Sequence, residues 1–188
     1  IQSISSNIYR KRIYYTLNKL PDLGKQPVKK FVVAHIMCPH SPYIFGENGE
    51  KVFVDENSPH RKKAFLHQLK CINKQVLRSL NLLVNSNNSR NKVIVLQGDH
   101  GTREISPNGK FSLNEDWAQA YYGNLNAIYS SKDAKNSSYS YVAPVNTFRQ
   151  IFNIEFGENF TILPDEKYYT DYNFPLLFHP LIDSKTHK

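Results

Sequence analysis

The chain has 188 residues, 40% of them hydrophobic and 13% aromatic, with 12 Tyr and 11 Phe. That content excludes a disordered, collagen-like or coiled-coil polymer and suffices for one domain with a real core. The 24 Lys and Arg against 16 Asp and Glu leave +8, an excess that favours an anionic partner or else marks a solvated basic face.

The charge is uneven along the chain. Residues 1 to 30 hold seven basic side chains (Arg10, Lys11, Arg12, Lys19, Lys25, Lys29 and Lys30) against Asp22 alone, and only Ile13 to Leu20 offers an amphipathic piece. This front is expected to be an arm, or a helix plus linker. Phe31 to Met37 (F-V-V-A-H-I-M) is nearly continuous apolar sequence rich in β-branched residues, as expected of a strand buried on both faces. The following P-H-S-P-Y-I-F-G-E-N-G-E holds two prolines and two glycines and is expected to be loop.

Ser58 before Pro59 signals a helix start. Phe65, Leu69, Ile72, Val76, Leu80 and Leu83 then recur at spacings of three and four, which predicts an amphipathic helix. A second apolar run, Val93 to Gln97, follows the polar N-S-N-N-S-R-N cluster. Strand, helix and strand in this order predict a βαβ unit with parallel strands, hence an α/β fold. Further on, Glu115 to Tyr122 is a candidate helix, Leu125 to Tyr129 a candidate strand, and S-S-K-D-A-K-N-S-S a loop. Asn146 to Phe156 has helical spacing and is closed by Gly157. Residues from 150 onward are acidic, six against three basic.

No apolar run approaches the ~20 residues needed to cross a bilayer, and no signal-peptide pattern opens the chain. The piece itself is therefore expected to be soluble and, opening on Ile1, to be cut from a longer protein. Cys38 and Cys71 form no CxxC pair and leave the redox compartment open.

In an open parallel sheet, ligands collect beyond the carboxyl ends of strands. The first run leads into C-P-H-S-P-Y with His40, and the second into G-D-H-G with Asp99 and His100. The flanking Gly98 and Gly101 permit a sharp turn on which a carboxylate and an imidazole can converge on one ion. Asp with neutral His is a suitable ligand pair for zinc or manganese, though two ligands are not a site; the alternative is a plain turn with a solvated histidine. His35 reads as a core histidine within its strand, His60 and His67 as surface residues of the helix, and His179 and His187 as lying in a proline-containing or terminal stretch outside any ligand motif.

The ordered series F-V-V-A-H-I-M-C-P-H-S-P-Y-I-F, V-I-V-L-Q-G-D-H-G, Y-Y-G-N-L-N-A-I-Y, P-V-N-T-F-R-Q-I-F-N-I-E-F-G and L-P-D resembles the sulfatase-like members of the alkaline phosphatase superfamily. It is most similar to membrane-anchored bacterial proteins related to lipoteichoic acid synthase and the phosphoethanolamine transferases. The resemblance runs from about Phe31 to about Tyr169. It implies a three-layer α/β/α fold with a mostly parallel sheet, of which residues 31 to 188 would be the C-terminal part and residues 1 to 30 an arm or linker from a preceding half. It also implies that Asp99 and His100 are metal ligands and that His40 contacts the transferred phosphate or sulfate group. One divalent ion (Zn, Mn, Ca or Mg) is implied, together with a phosphate- or sulfate-ester substrate, lipid- or glycan-linked, at the extracytoplasmic face of a membrane.

In that family an acidic ligand and a Thr, Ser or Cys nucleophile precede the strand that leads into P-H-S-P-Y. Here the preceding residues contain Asp22 as their one acid, Thr16 has no matching context, and Thr102 follows the metal pair. The chain is therefore expected to be a partial catalytic domain that lacks its nucleophile and is inactive alone. The alternative is a non-catalytic domain on the same fold that binds an anionic polymer or membrane surface. No nucleic-acid-binding motif is present.

Overall fold

The computed structural model describes residues 2–86, 90–102, 121–132, 143–171 and 173–180. It is a mixed α/β chain with helices α1 (Gln2–Lys25), α2 (Arg61–Val84) and α3 (Thr147–Phe156). The strands are β1 (Tyr43–Phe45), β2 (Lys51–Val54), β3 (Val93–Gln97), β4 (Asn126–Ser130), β5 (Tyr168–Asp171) and β6 (Phe174–Pro180). They form three two-stranded antiparallel sheets, β1 with β2, β3 with β4 and β5 with β6. Contacts divide the chain into one unit of residues 1–92 with 98–125 and another of residues 93–97 with 126–188.

The first unit is built on α1 and α2. The front of the chain is a single 24-residue helix that continues through Pro21 to Lys25. A proline inside a helix forfeits one backbone hydrogen bond, and tertiary packing offsets that here, because Pro21 is buried along with Ile13 and Leu17. Ile13 and Leu17 join Ile44, Phe45, Cys71 and Ile72 in one apolar cluster. Deep in α2, Ser79 Oγ donates to the Leu17 carbonyl at 2.8 Å and ties the two helices together. At the N-terminus of α2, Ser58 Oγ accepts from the His60 amide at 3.2 Å, and the helix itself starts at Arg61.

The stretch expected as loop after Pro39 contains the most buried strand. Tyr43, Ile44 and Phe45 are each no more than 2% exposed. The signal overlooked was Asn48-Gly49, a hairpin-turn pair between two runs of β-forming residues. Gly49 has φ +91°, and its amide donates to Gly46 O at 3.0 Å while Gly46 N donates to Glu50 O at 2.8 Å. The amide of Gln68, itself 1% exposed, holds this strand and its approach to α2. Its Oε1 accepts from Ile44 N at 2.7 Å and Phe45 N at 3.2 Å, and its Nε2 donates to Pro39 O and His40 O at 3.1 Å each. From α1, Arg10 donates to the carbonyls of Ile44, Gly49 (2.8 Å) and Glu50 (3.2 Å), with its guanidinium 4.3 Å from the centre of the Phe45 ring.

The parallel βαβ unit is not found among the described residues. Phe31 to Met37 belongs to no strand, and Phe31 and Val33 are more than three-quarters exposed. His35 is likewise exposed rather than a core histidine. β3 pairs antiparallel with β4 in unbroken register, Val93 opposite Ser130 through Gln97 opposite Asn126. The physical reason is that a strand apolar on both faces needs neighbours on both edges and layers above and below. Nothing among the described residues supplies them to residues 31 to 37.

In the second unit, α3 ends at Gly157, which takes the left-handed conformation (φ 74°) anticipated for a helix stop. Asn146 and Asn153 each form a two-bond pairing with the extended segment that follows, through Leu163 N and O (2.9 and 2.8 Å) and Phe160 N and O (2.7 and 2.8 Å). Arg149 adds a bond to Thr161 O at 3.0 Å. Of the expected Glu115 to Tyr122 helix only Tyr121 and Tyr122 are described, and they are helical. Most of the Ser-rich loop and His187 lie outside the described residues.

Replacing Gln68 with Leu keeps most of the volume but strands two buried amides and two carbonyls. The expected cost is about 3–5 kcal/mol, summed from typical penalties for unsatisfied buried groups. Urea unfolding monitored by circular dichroism measures it, and a change under 1 kcal/mol would contradict the role assigned to this side chain.

Candidate functional site

His40 lies on the exposed stretch between Pro39 and Pro42, its backbone carbonyl held by Gln68. Its ring Nδ1 lies 2.6 Å from Ser41 O, which places a proton on Nδ1 because a carbonyl oxygen only accepts. The adjacent Cys38 is half-buried, and burial, followed by the nearby Cys71, pushes its thiol up to about 12. Burial likewise raises the Tyr9 hydroxyl to about 12, and that hydroxyl donates to the Met37 carbonyl. The residues preceding His40 are thus tethered by neutral groups, and Cys38 is not an activated nucleophile.

Asp99 and His100 follow β3 directly. Two backbone bonds, Gly98 N to Leu125 O and Gly101 N to Tyr121 O, each 2.8 Å, join this turn to residues 121 to 125. His100 Nδ1 is 2.6 Å from Gly101 O, and its ring stacks on Tyr121 at 6.1 Å between centres and 21° between planes. Tyr122 packs edge-on to Tyr121 at 5.2 Å. The Asp99 carboxylate accepts from the His100 amide at 3.0 Å through Oδ1, and its Oδ2 lies 3.7 Å from His100 Nε2. Both side chains are open to solvent, Asp99 85% and His100 51% exposed.

A carboxylate oxygen and an imidazole Nε2 on one exposed turn supply two donors suited to a divalent cation. Two donors fall short of a full ligand set. No group of three or more His, Cys, Asp or Glu side chains gathers among the described residues. The contacts of His40 run to Ser41 and α2, whereas those of Asp99 and His100 run to each other, Gly101 and Tyr121. His67 faces Glu47 at 3.6 Å on the surface of α2 and takes no part.

Two groups escaped the sequence reading. Gln68 fixes the His40 backbone, yet within the helical pattern it is a polar residue among apolar ones. Asn124 packs its side-chain oxygen 2.6 Å from where a Cβ on Gly98 would lie, which only a glycine permits. No local pattern signals that contact, because it joins residues 26 positions apart.

No family model, curated protein or solved structure matches the chain. No helix among the described residues is long and apolar enough to cross a membrane.

The raised Cys38 pKa has a direct consequence. Moving from 9.0 to about 12 leaves roughly a thousandfold less thiolate at pH 8, so alkylation by iodoacetamide is expected to be slow in the folded chain. Unfolding in urea should restore the rate of an ordinary cysteine. Fast labelling of folded Cys38 at pH 8, located by peptide mass spectrometry, would contradict the buried, neutral thiol.

Proposed function

We propose that this chain contributes an Asp99–His100 metal pair and a substrate-contacting His40 to a metal-dependent hydrolase or transferase acting on phosphate or sulfate esters. The observation that carries the reading is the G-D-H-G turn, where an exposed carboxylate and an imidazole held by Gly101 and Tyr121 follow β3. Support also comes from the ordered motifs that resemble sulfatase-like enzymes. The finer fold proposed is the C-terminal part of a three-layer α/β/α domain. The exposed apolar chain fits that idea, since Phe31, Val33, Leu77, Leu176 and Phe178 are all more than half exposed and such surface is ordinarily covered. A membrane-anchored, extracytoplasmic parent with a lipid- or glycan-linked substrate rests on the resemblance alone.

In this reading Asp99 and His100 would hold the ion, which when bound supplies a Lewis acid that polarises a phosphoryl or sulfuryl oxygen. His100 is pre-oriented for this, because its Nδ1 is turned to the Gly101 carbonyl and its Nε2 to the Asp99 carboxylate side of the turn. His40 would meet the substrate oxygens through its exposed ring, whose Nδ1 is turned toward the Ser41 carbonyl. None of these groups attacks the substrate. The nucleophile and an acidic ligand would come from a preceding half of the domain.

A second reading, a non-catalytic domain that binds an anionic polymer or membrane surface, is favoured by one observation. Arg10 turns inward to the hairpin, but Lys11 and Arg12 stay exposed and, with Ile8 and Tyr15, line an open hollow of about 340 Å³ on α1.

The two readings separate in an assay with an aryl phosphate, an aryl sulfate and a phosphodiester. The 188-residue chain is expected to be inert. A longer protein that adds an upstream acidic ligand and a hydroxyl or thiol nucleophile is expected to turn over one of the three. His100→Ala or Asp99→Ala should lower that rate by about 10² to 10⁴. Metal-dependent turnover by the 188 residues alone would refute the half-site, and an inert longer protein with its nucleophile intact would favour the binding reading.

A further inference from the structure

The side-chain oxygen of Asn124 is buried and accepts no hydrogen bond among the described residues. A buried carbonyl without a donor costs about 1–3 kcal/mol, so such an atom in a folded protein calls for a partner. Its place is specific. Asn124 Oδ1 lies 2.6 Å from the position a Cβ would take on Gly98, the residue directly before Asp99. The two backbone bonds from Gly98 to Leu125 and from Gly101 to Tyr121 bracket it, with Tyr121 stacked on His100 at one end. The orphaned oxygen thus packs against Gly98, at the start of the turn that carries the carboxylate and the imidazole.

We infer that Asn124 Oδ1 is a third protein ligand of the divalent cation site at the Asp99–His100 turn. The inference rests on the metal reading proposed above and extends its ligand set within this chain. An amide oxygen is a hard, neutral donor that joins carboxylate and imidazole in sites for divalent ions. It adds no charge to that of the Asp99 carboxylate. It also gives Gly98 a reason: any side chain there would push the ligand oxygen out of the turn. Binding an ion relieves the unpaired carbonyl, so occupancy stabilises the fold as well as the site.

The test is Mn²⁺ binding by the 188-residue chain, read from the electron paramagnetic resonance signal of free Mn²⁺ and from Mn²⁺-induced shifts in melting temperature. Asn124→Ala should weaken binding by about tenfold or more and shrink the thermal shift. Asn124→Asp, which keeps the shape and an oxygen donor, should bind at least as tightly as the parent chain and guards against a trivial folding defect. His100→Ala is the reference for the site itself. If His100→Ala weakens binding and Asn124→Ala does not, the third ligand is refuted and the metal pair stands. If the parent chain and His100→Ala bind Mn²⁺ equally, the metal reading fails and the inference falls with it.

Discussion

The first unit of this protein hangs on one buried amide. Gln68 projects from α2 between a strand and its approach and satisfies both, accepting from Ile44 and Phe45 and donating to Pro39 and His40. Glutamine suits the position because its oxygen and nitrogen address opposite hydrogen-bonding needs from one plane. An apolar residue would leave two amides without this partner where Tyr43, Ile44 and Phe45 exclude water, and two part-buried carbonyls as well. Arg10 reinforces the arrangement from α1, binding three carbonyls of the same hairpin and covering the Phe45 ring. The backbone of His40 is thereby fixed by the core while its ring stays at the surface.

The same logic of a fixed backbone beneath an exposed ring recurs at the G-D-H-G turn. There the fixing groups are two backbone bonds, a carbonyl on Nδ1 and a stacked tyrosine. In both places Nδ1 is turned toward a neighbouring backbone carbonyl, which fixes the orientation of the ring at the surface.

Much of this was legible along the chain. The spacing of Leu69, Ile72 and Val76 located α2, Gly157 marked the end of α3, and the apolar run Val93 to Gln97 located β3 with the Asp-His turn after it. What escaped depends on distant partners. Phe31 to Met37 has the composition of an interior strand, but composition cannot supply the neighbours that make it one. β4 lies antiparallel to β3 although the βαβ pattern pointed elsewhere. Pro and Gly around Tyr43 outweighed three strand-forming residues in the reading, when the Asn48-Gly49 turn already implied a hairpin. Within the site, His40, Asp99 and His100 are local motifs, whereas Gln68 and Asn124 take their roles from contacts across 28 and 26 positions.

The central claim is that the Asp99–His100 turn is where this chain meets a cation. Titrating Mn²⁺ into the isotope-labelled chain while recording its amide and histidine-ring NMR spectra tests it most directly, because a paramagnetic ion broadens the nuclei around it. The account predicts that signals of residues 98 to 101 and 121 to 124 vanish first, at substoichiometric Mn²⁺. First losses at the acidic surface groups Glu47, Asp55 or Glu158, with the His100 ring still sharp, would contradict it.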